Sequence, residues 1–348
     1  MKKHFSKATP ISVILNLILI INVIIVVYPV LFTISSSLTK SNSLAATSVI
    51  PFTEQTDKST VEMCEACEGK GYRNIDIKSS YKENGKTKTY IGKKLVDCNV
   101  CHGEGEVAVL HTSFKIKKPS LYQFRRLLTG SEQIVKGETT VHGTNYKNWY
   151  LNTLKIAIMN TILTVFICTT TGYIFSRFSF TGRKQIMAGM IVLQMFPSFI
   201  GMVATYVILW KFNALNTLWG LVLVYASGSI PFNAQLMKGY FDTMPRDIAE
   251  AAYIDGASPL VAYLRVILPA AKPQIVFLTL TSFTGPWMDY IFPRMVLRSD
   301  DKKTLAVGLY EMISGRSNDN FTMFAAGAIL VAVPFTIFFM AGQRTLLM

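Results

Sequence analysis

Six stretches of the chain are long, apolar and nearly free of charge, and they dictate most of what it can become. They lie at residues 11–37, 151–176, 185–210, 216–237, 274–293 and 321–343. Each is about 20 residues or longer, the length a helix rising ~1.5 Å per residue needs to cross ~30 Å of hydrocarbon. In hydrocarbon every backbone polar group must be satisfied within the segment, so the runs read as helices. No charge falls between Lys7 and Lys40. Three lysines precede that first run, as in a signal peptide, but its apolar part exceeds the ~15 residues of a signal h-region, and a retained span is expected. Charged residues are 16% of the 348, against about a quarter in soluble domains. The expected fold class is an all-α polytopic membrane protein with six transmembrane helices.

The net charge of +14 is unevenly placed. Residues 53–119 hold 12 basic and 10 acidic side chains and are close to neutral. The excess lies largely at the ends of the apolar runs. Lys2, Lys3, Lys7, Arg177, Arg183, Lys184, Lys238, Arg246, Arg265, Lys272 and Arg344 fall on one side of the membrane. The other side has Lys155, Lys211, Arg294, Arg298, Lys302, Lys303 and Arg316. The positive-inside bias then predicts both termini in the cytoplasm and residues 37–150 outside it. It also accounts for the basicity without a nucleic-acid partner.

The spans are not uniformly apolar. Pro197, Pro231 and Pro286 interrupt them, with Gln194, Asn233, Gln235, Trp287 and Asp289 nearby. Intramembrane polar groups are expensive and need partners. Gln194, Asn233, Trp287 and Asp289 are candidates for lining a polar path; ordinary helix-to-helix pairing is the other reading, and both stay open. Cys168, alone inside an apolar run, reads as a small buried hydrophobe.

Between the fourth and fifth runs, residues 239–272 carry a patterned loop. Pro245 suits the first turn of a helix, and Asp247 and Glu250 favour its positive end. Gly256 permits a left-handed turn that stops it. Ser258 caps a second helix with Pro259 at its first position. That helix is expected to run to Leu268 and break at Pro269.

The series Glu250-Ala251-Ala252, three residues, Gly256, nine residues, Val266, one residue, Leu268-Pro269 resembles the EAA loop of ABC importer permeases, with Val266 where isoleucine is usual. The longer form ending in Asp255-Gly256-Ala257 is similar to the carbohydrate branch, of the maltose/maltodextrin type. So are Tyr150-Leu-Asn-Thr-Leu and Trp287-Met-Asp-Tyr. The resemblance spans residues 11–51 and 120–343. It implies a membrane-spanning sugar permease of the bacterial cytoplasmic membrane. It implies four kinds of partner: a cytoplasmic ABC ATPase dimer, a second permease subunit, an extracytoplasmic sugar-binding protein and membrane lipid. It also assigns the ATPase-coupling residues: Glu250 as ion-pair anchor, Ala251 and Ala252 for close approach, Asp255 and Gly256 at the turn, Leu268 and Pro269 closing the motif. No G-x-x-x-x-G-K-[ST] loop is present, so no nucleotide is expected on this chain and ATP hydrolysis falls to a partner. Family members usually extend about ten residues past the last span; here only Gln343–Met348 follow, so tail contacts are not carried over.

Between the first two spans, Cys64-Glu-Ala-Cys67-Glu-Gly69-Lys-Gly71 recurs as Cys98-Asn-Val-Cys101-His-Gly103-Glu-Gly105. Two such knuckles can give four thiolates to one tetrahedral metal, with Cys64, Cys67, Cys98 and Cys101 as ligands. Residues 75–81 and 87–96 alternate around Asn84-Gly85, a hairpin signal. The repeat resembles the zinc ribbon of bacterial Hsp40 co-chaperones, with two knuckles in place of four, and implies a zinc ion. Disulfides are the alternative in a segment read as extracytoplasmic. A redox role for either C-x-x-C is a third.

The expected organisation is a tail and first span at 1–52, a small β-rich zinc-ribbon-like extracytoplasmic insertion at 53–119, and a permease core at 120–348. The competing reading is a membrane-anchored zinc or thiol-redox protein acting through the insertion. An anchor needs one span and has no use for the glycine-hinged loop. An ion channel would show a filter segment or charged rings, and neither is found.

Overall fold

A computed structural model describes residues 10–41, 50–64, 66–68, 70, 72–83, 86–98, 100–102, 106–116, 118–135, 138–142, 144–314 and 320–346. The chain divides into two compact units, one of residues 1–44 and 119–348, the other of residues 45–118. Lys2, Lys3, Lys7, Arg316, the Asn84-Gly85 turn and the knuckle glycines 69, 71, 103 and 105 lie outside the described residues.

The larger unit begins with helix α1 (Pro10–Ser37). Its large apolar side chains from Ile14 to Leu31 are exposed, as a lipid-facing helix requires. In the smaller unit, strand β1 (Thr53–Met63) pairs antiparallel with β4 (Glu106–Ile116), and β2 (Tyr72–Glu83) with β3 (Lys86–Asp97). They form two separate two-stranded ribbons.

The larger unit resumes with α2 (Tyr122–Thr129) and a short ribbon of β5 (Ser131–Val135) and β6 (Glu138–His142). Helices α3 (Tyr146–Arg177), α4 (Arg183–Gln194), α5 (Ser198–Lys211) and α6 (Leu218–Thr243) follow. Next come α7 (Asp247–Ile254), α8 (Pro259–Ala262), a π-turn (Tyr263–Ile267) and α9 (Leu268–Ala270). The unit ends with α10 (Lys272–Met288), α11 (Ile291–Val296), α12 (Leu305–Ser314) and α13 (Phe321–Leu346).

The six apolar runs do not become six unbroken helices. Among the described residues, α1, α3 and α13 are long and apolar enough to cross a membrane alone. Two more candidates are bent pairs, α4 with α5 at 106°, and the segment 259–270 with α10 at 79°. Pro197, in extended backbone ahead of α5, marks the first bend. Helix α6 has the length, at 26 residues, but is not among these candidates. The run 274–293 is also divided, because α10 stops at Met288 and Asp289 is extended.

Helix α3 is the spine of this unit. At one end Gly172 meets α6 so closely that a Cβ there would lie 2.6 Å from Met237 Cβ. Small residues allow such crossings. At the other end Trp149 donates to Asp300 O at 2.7 Å, and Asn152 to Asp301 O at 2.8 Å. Gly308 packs flat on Trp149, leaving no room for a Cβ. Burial alone would raise the Asp300 carboxyl, but hydrogen bonds from Lys303 and Asn145 hold it below the usual carboxylate range.

Candidate functional site

The loop at 239–272 is a helical hairpin mounted on the bundle. Its first helix, α7, starts after Pro245, with Asp247 and Glu250 in its first turn. It stops where Gly256 takes φ +84°, a conformation open mainly to glycine. Ser258 Oγ then accepts from Val261 N–H at 3.4 Å, and Pro259 opens α8. Here the expectation needs correction: the second helix does not break at Pro269. It widens to a π-turn at Tyr263–Ile267, with Leu268 N–H bonding to Tyr263 O, and continues to Ala270. The wider turn relieves the clash that proline makes with the carbonyl four residues back.

One side of this hairpin is tied to the spans. Ala249, Tyr263, Ile267 and Ala271 share a buried cluster with Cys168, Tyr173, Met237, Phe241 and Leu278, drawn from α3, α6 and α10. Tyr263 is the anchor: its hydroxyl donates to Thr169 Oγ1 at 3.2 Å, and its ring lies 4.6 Å from that of Tyr173. Arg177 at the end of α3 donates to Met244 O at 2.9 Å. Packed contacts thus join this hairpin to three long helices.

The other side is uncovered. Glu250, Ala251, Asp255, Gly256 and Pro269 are exposed, Leu268 is half-buried, and Ala252 turns inward. Ile254 is 87% exposed and Leu260 65%, beside exposed Tyr253 and Leu264. No ion pair or hydrogen bond engages the Glu250 carboxylate among the described residues. An unpaired acid among exposed apolar side chains is what a protein-binding surface presents.

The four intramembrane candidates divide. Gln194 is exposed, and its amide donates to Met190 O of its own helix. Trp287 is packed between Tyr150, Phe283 and Phe335 in a buried cluster. Asn233 borders a cavity between α3, α6 and α10. Asp289 lies one link away: Tyr225, another residue of that cavity, donates to Asp289 Oδ2 at 2.8 Å, while Phe292 N–H approaches Oδ1 at 3.3 Å. Sequence reasoning missed Tyr225, Asn160 and Tyr263. Asn160 carried a usable signal, an amide in the middle of a long apolar run.

In the smaller unit the four knuckle cysteines converge. Their sulfurs all lie within 4.8 Å of one another, with Cys64 and Cys98 at 3.9 Å and Cys67 and Cys101 at 3.6 Å. Four sulfurs at ~2.3 Å from a central ion stand about 3.8 Å apart, whereas a disulfide needs about 2 Å. The donor set and spacing fit one tetrahedral metal. The two knuckles match in backbone too, since Glu68 and His102, each following its knuckle's second cysteine, share φ 51°. His102 is exposed and stands outside the cluster. Burial pushes the Cys64 thiol up to about 11, helped by Cys67, while the backbone N–H groups of Cys101 and Val100 draw Cys98 down to about 7. The four cysteines are buried and pack together as one cluster.

The family described as "Binding-protein-dependent transport system inner membrane component" matches residues 168–346. The maltodextrin transport system permease protein MdxG of Bacillus subtilis is 43% identical over 201 residues, 58% of this chain and 72% of that one. The galactooligosaccharides transport system permease protein GanQ of the same organism is 35% identical over 237 residues, 68% and 80% of the two chains. The maltose/maltodextrin transport system permease protein MalG of Vibrio vulnificus is 34% identical over 234 residues, 66% and 78%. A bacterial ABC transporter structure, described as importing the acidic polysaccharide alginate, shares the fold with a TM-score of 0.64 at 18% identity, covering 99% of each chain.

Proposed function

The chain belongs to the family of binding-protein-dependent transport system inner membrane components, and we propose that it is the permease subunit of an ATP-driven importer of maltodextrin or a related oligosaccharide. It is a transporter subunit, not an enzyme, and ATP is hydrolysed by a partner. The observation that carries the coupling role is the hairpin itself. One face is locked into α3, α6 and α10 by Tyr263, and the other presents an unpaired Glu250 among exposed apolar side chains. That face docks on a cytoplasmic ATPase, which closes an ion pair with Glu250; Ala251, Asp255 and Gly256 lie on the contact side. A second permease subunit completes the path, and a sugar-binding protein delivers the substrate. Purification in mild detergent, with identification of co-purifying subunits and bound sugar, tests this assignment. An ATPase and a second permease are expected; recovery of the chain alone from membranes that import sugar would overturn it.

The proposed topology places both termini in the cytoplasm and residues 37–150 outside. Single cysteines at positions 90 and 248 test it with an impermeant thiol reagent on intact cells. Tyr90→Cys should label and Ile248→Cys should not. The opposite pattern would reverse the orientation.

The cysteine cluster supports a second, separate assignment, a structural zinc ion held by Cys64, Cys67, Cys98 and Cys101. Its sulfur spacing is that of a tetrahedral thiolate site. Zinc there would tie the two ribbons together at their knuckled ends.

A further inference from the structure

Helix α2 marks a boundary of the membrane. Its buried Gln123 donates to Lys40 O at 3.1 Å and to Ser41 O at 3.0 Å, just past the end of α1. Thr322, in the first turn of α13, donates to Ser41 O at 2.6 Å. The end of α1 and the start of α13 therefore meet at α2, where hydrocarbon gives way to headgroups. The outer face of α2 suits that level: Tyr122, Arg125 and Leu128, each about one turn apart, are all exposed.

At this level α2, α3 and α13 enclose a slot of about 390 Å³, within the size range of small-molecule sites. Its walls are Leu128, Leu151, Leu330, Val333 and the rings of Tyr146 and Tyr150, and its one charged lining group is Lys147. The walls are fixed before anything binds. The Tyr146 hydroxyl donates to Gly327 O at 3.0 Å, and a Cβ on Gly327 would lie 3.2 Å from the Tyr146 ring and 3.5 Å from Leu127. Tyr150 is held edge-on to Trp287. Leu128, Leu151 and Val333 are exposed, so the slot is open along its side.

Charge complementarity points to the occupant. Lys147 lies one turn from Leu151 on α3 and makes no ion pair among the described residues. The acids that pack at this end of α3 are engaged elsewhere, Asp300 with Lys303, and Glu311 with Arg294 and Lys303. Arg125, one turn from Leu128 on α2, is likewise exposed and unpaired among the described residues. Two cations beside an apolar slot match a phosphate head with an acyl chain below it. A sugar or a peptide backbone would lose hydrogen bonds against these walls.

We propose that this slot binds one anionic phospholipid, its phosphate on Lys147 and Arg125 and an acyl chain along Leu151, Leu330 and Val333. The site needs the spans but not the sugar assignment. The apolar walls gain little over surrounding lipid, whose tails are as apolar as leucine. The cations therefore carry the selectivity, about fivefold each.

The test uses the full chain, purified in mild detergent with its accompanying subunits and returned to vesicles of phosphatidylcholine with a minority of phosphatidylglycerol. One lipid at a time carries a photoactivatable group on an acyl chain, and crosslinked peptides are mapped by mass spectrometry. Signal on α1, whose apolar side chains are exposed, gives the reference for insertion. Relative to it, phosphatidylglycerol should mark the segments around Leu151 and residues 330–333, and phosphatidylcholine should mark them far less. Lys147→Gln should cut the phosphatidylglycerol signal at the slot about fivefold and leave the phosphatidylcholine signal unchanged. Val333→Trp, at an exposed position, should fill the slot and remove both signals there while α1 is still marked. Equal marking by the two lipids, unchanged in Lys147→Gln, overturns the proposal. So does marking of α1 with none at the slot, because a protein surface of the assembly then covers it.

Discussion

Replacing Glu250 by Lys should abolish sugar uptake while the chain remains in the membrane at its normal level. The Glu250 side chain is exposed and makes no ion pair among the described residues, while α7 packs through the buried Ala249 and Ala252. On the proposed docking, a lysine there would face the partner's cation, and breaking a buried ion pair costs about 3–5 kcal/mol, over a hundredfold in affinity. Gly256→Val should act at the same place by a different route. No atom lies within 4 Å of where its Cβ would be, so the penalty is not crowding. It is the backbone, held at φ +84°, which costs a branched residue about 1–2 kcal/mol and swings α7 off its axis. The measurements are uptake and the ATPase retained on purified membranes. Normal transport by both variants at wild-type expression would remove the hairpin from the coupling role.

The hairpin was legible because its signals are local. Pro245, Gly256, Ser258 and Pro259 each act on backbone within a few residues, and each sits where a helix starts or stops. The π-turn was not legible. Pro269 forbids one hydrogen bond, but whether a helix ends there or widens depends on what its other face packs against, here Tyr263 on Tyr173 and Thr169. The breaks within the spans were not legible for a related reason. Apolar length says that a segment suits hydrocarbon, not that it is one straight helix, and bends at Pro197 and Ala271 depend on neighbours.

Partners across long separations were the least visible. Asp289 was legible as an expensive intramembrane acid, but its partner Tyr225 lies 64 residues away on another helix. Trp287 reads in sequence as a candidate path residue, and its contacts with Tyr150, Phe283 and Phe335 were not visible there. A tryptophan in a span has the same composition signal whether it packs or lines a path. The cysteine cluster was the opposite case. Its spacing alone brought together four residues up to 37 apart, because C-x-x-C fixes each knuckle and the strands between them only have to return.

That cluster supports the second large expected effect. Cys98→Ser, or zinc removal by a strong chelator, should unfold residues 53–116 while leaving the helical unit intact. Each ribbon, β1 with β4 and β2 with β3, has two strands, and such pairs are marginal in water. Among the described residues of this unit, the only buried hydrophobic cluster is the four sulfurs themselves. A structural zinc ion at these four sulfurs would add to so marginal a fold, since structural zinc sites supply about 10–16 kcal/mol apparent at neutral pH. The full chain purified in detergent should carry about one zinc per molecule, and Cys98→Ser close to none. Limited proteolysis should then cut the variant within 53–116 while α3 to α13 stay protected, since their cores draw on aromatic and aliphatic side chains independent of the insertion. Two disulfides and no zinc in freshly isolated protein would overturn the metal assignment. In that case Cys98→Ser would break one crosslink and lose about 2–5 kcal/mol, and a chelator would do nothing.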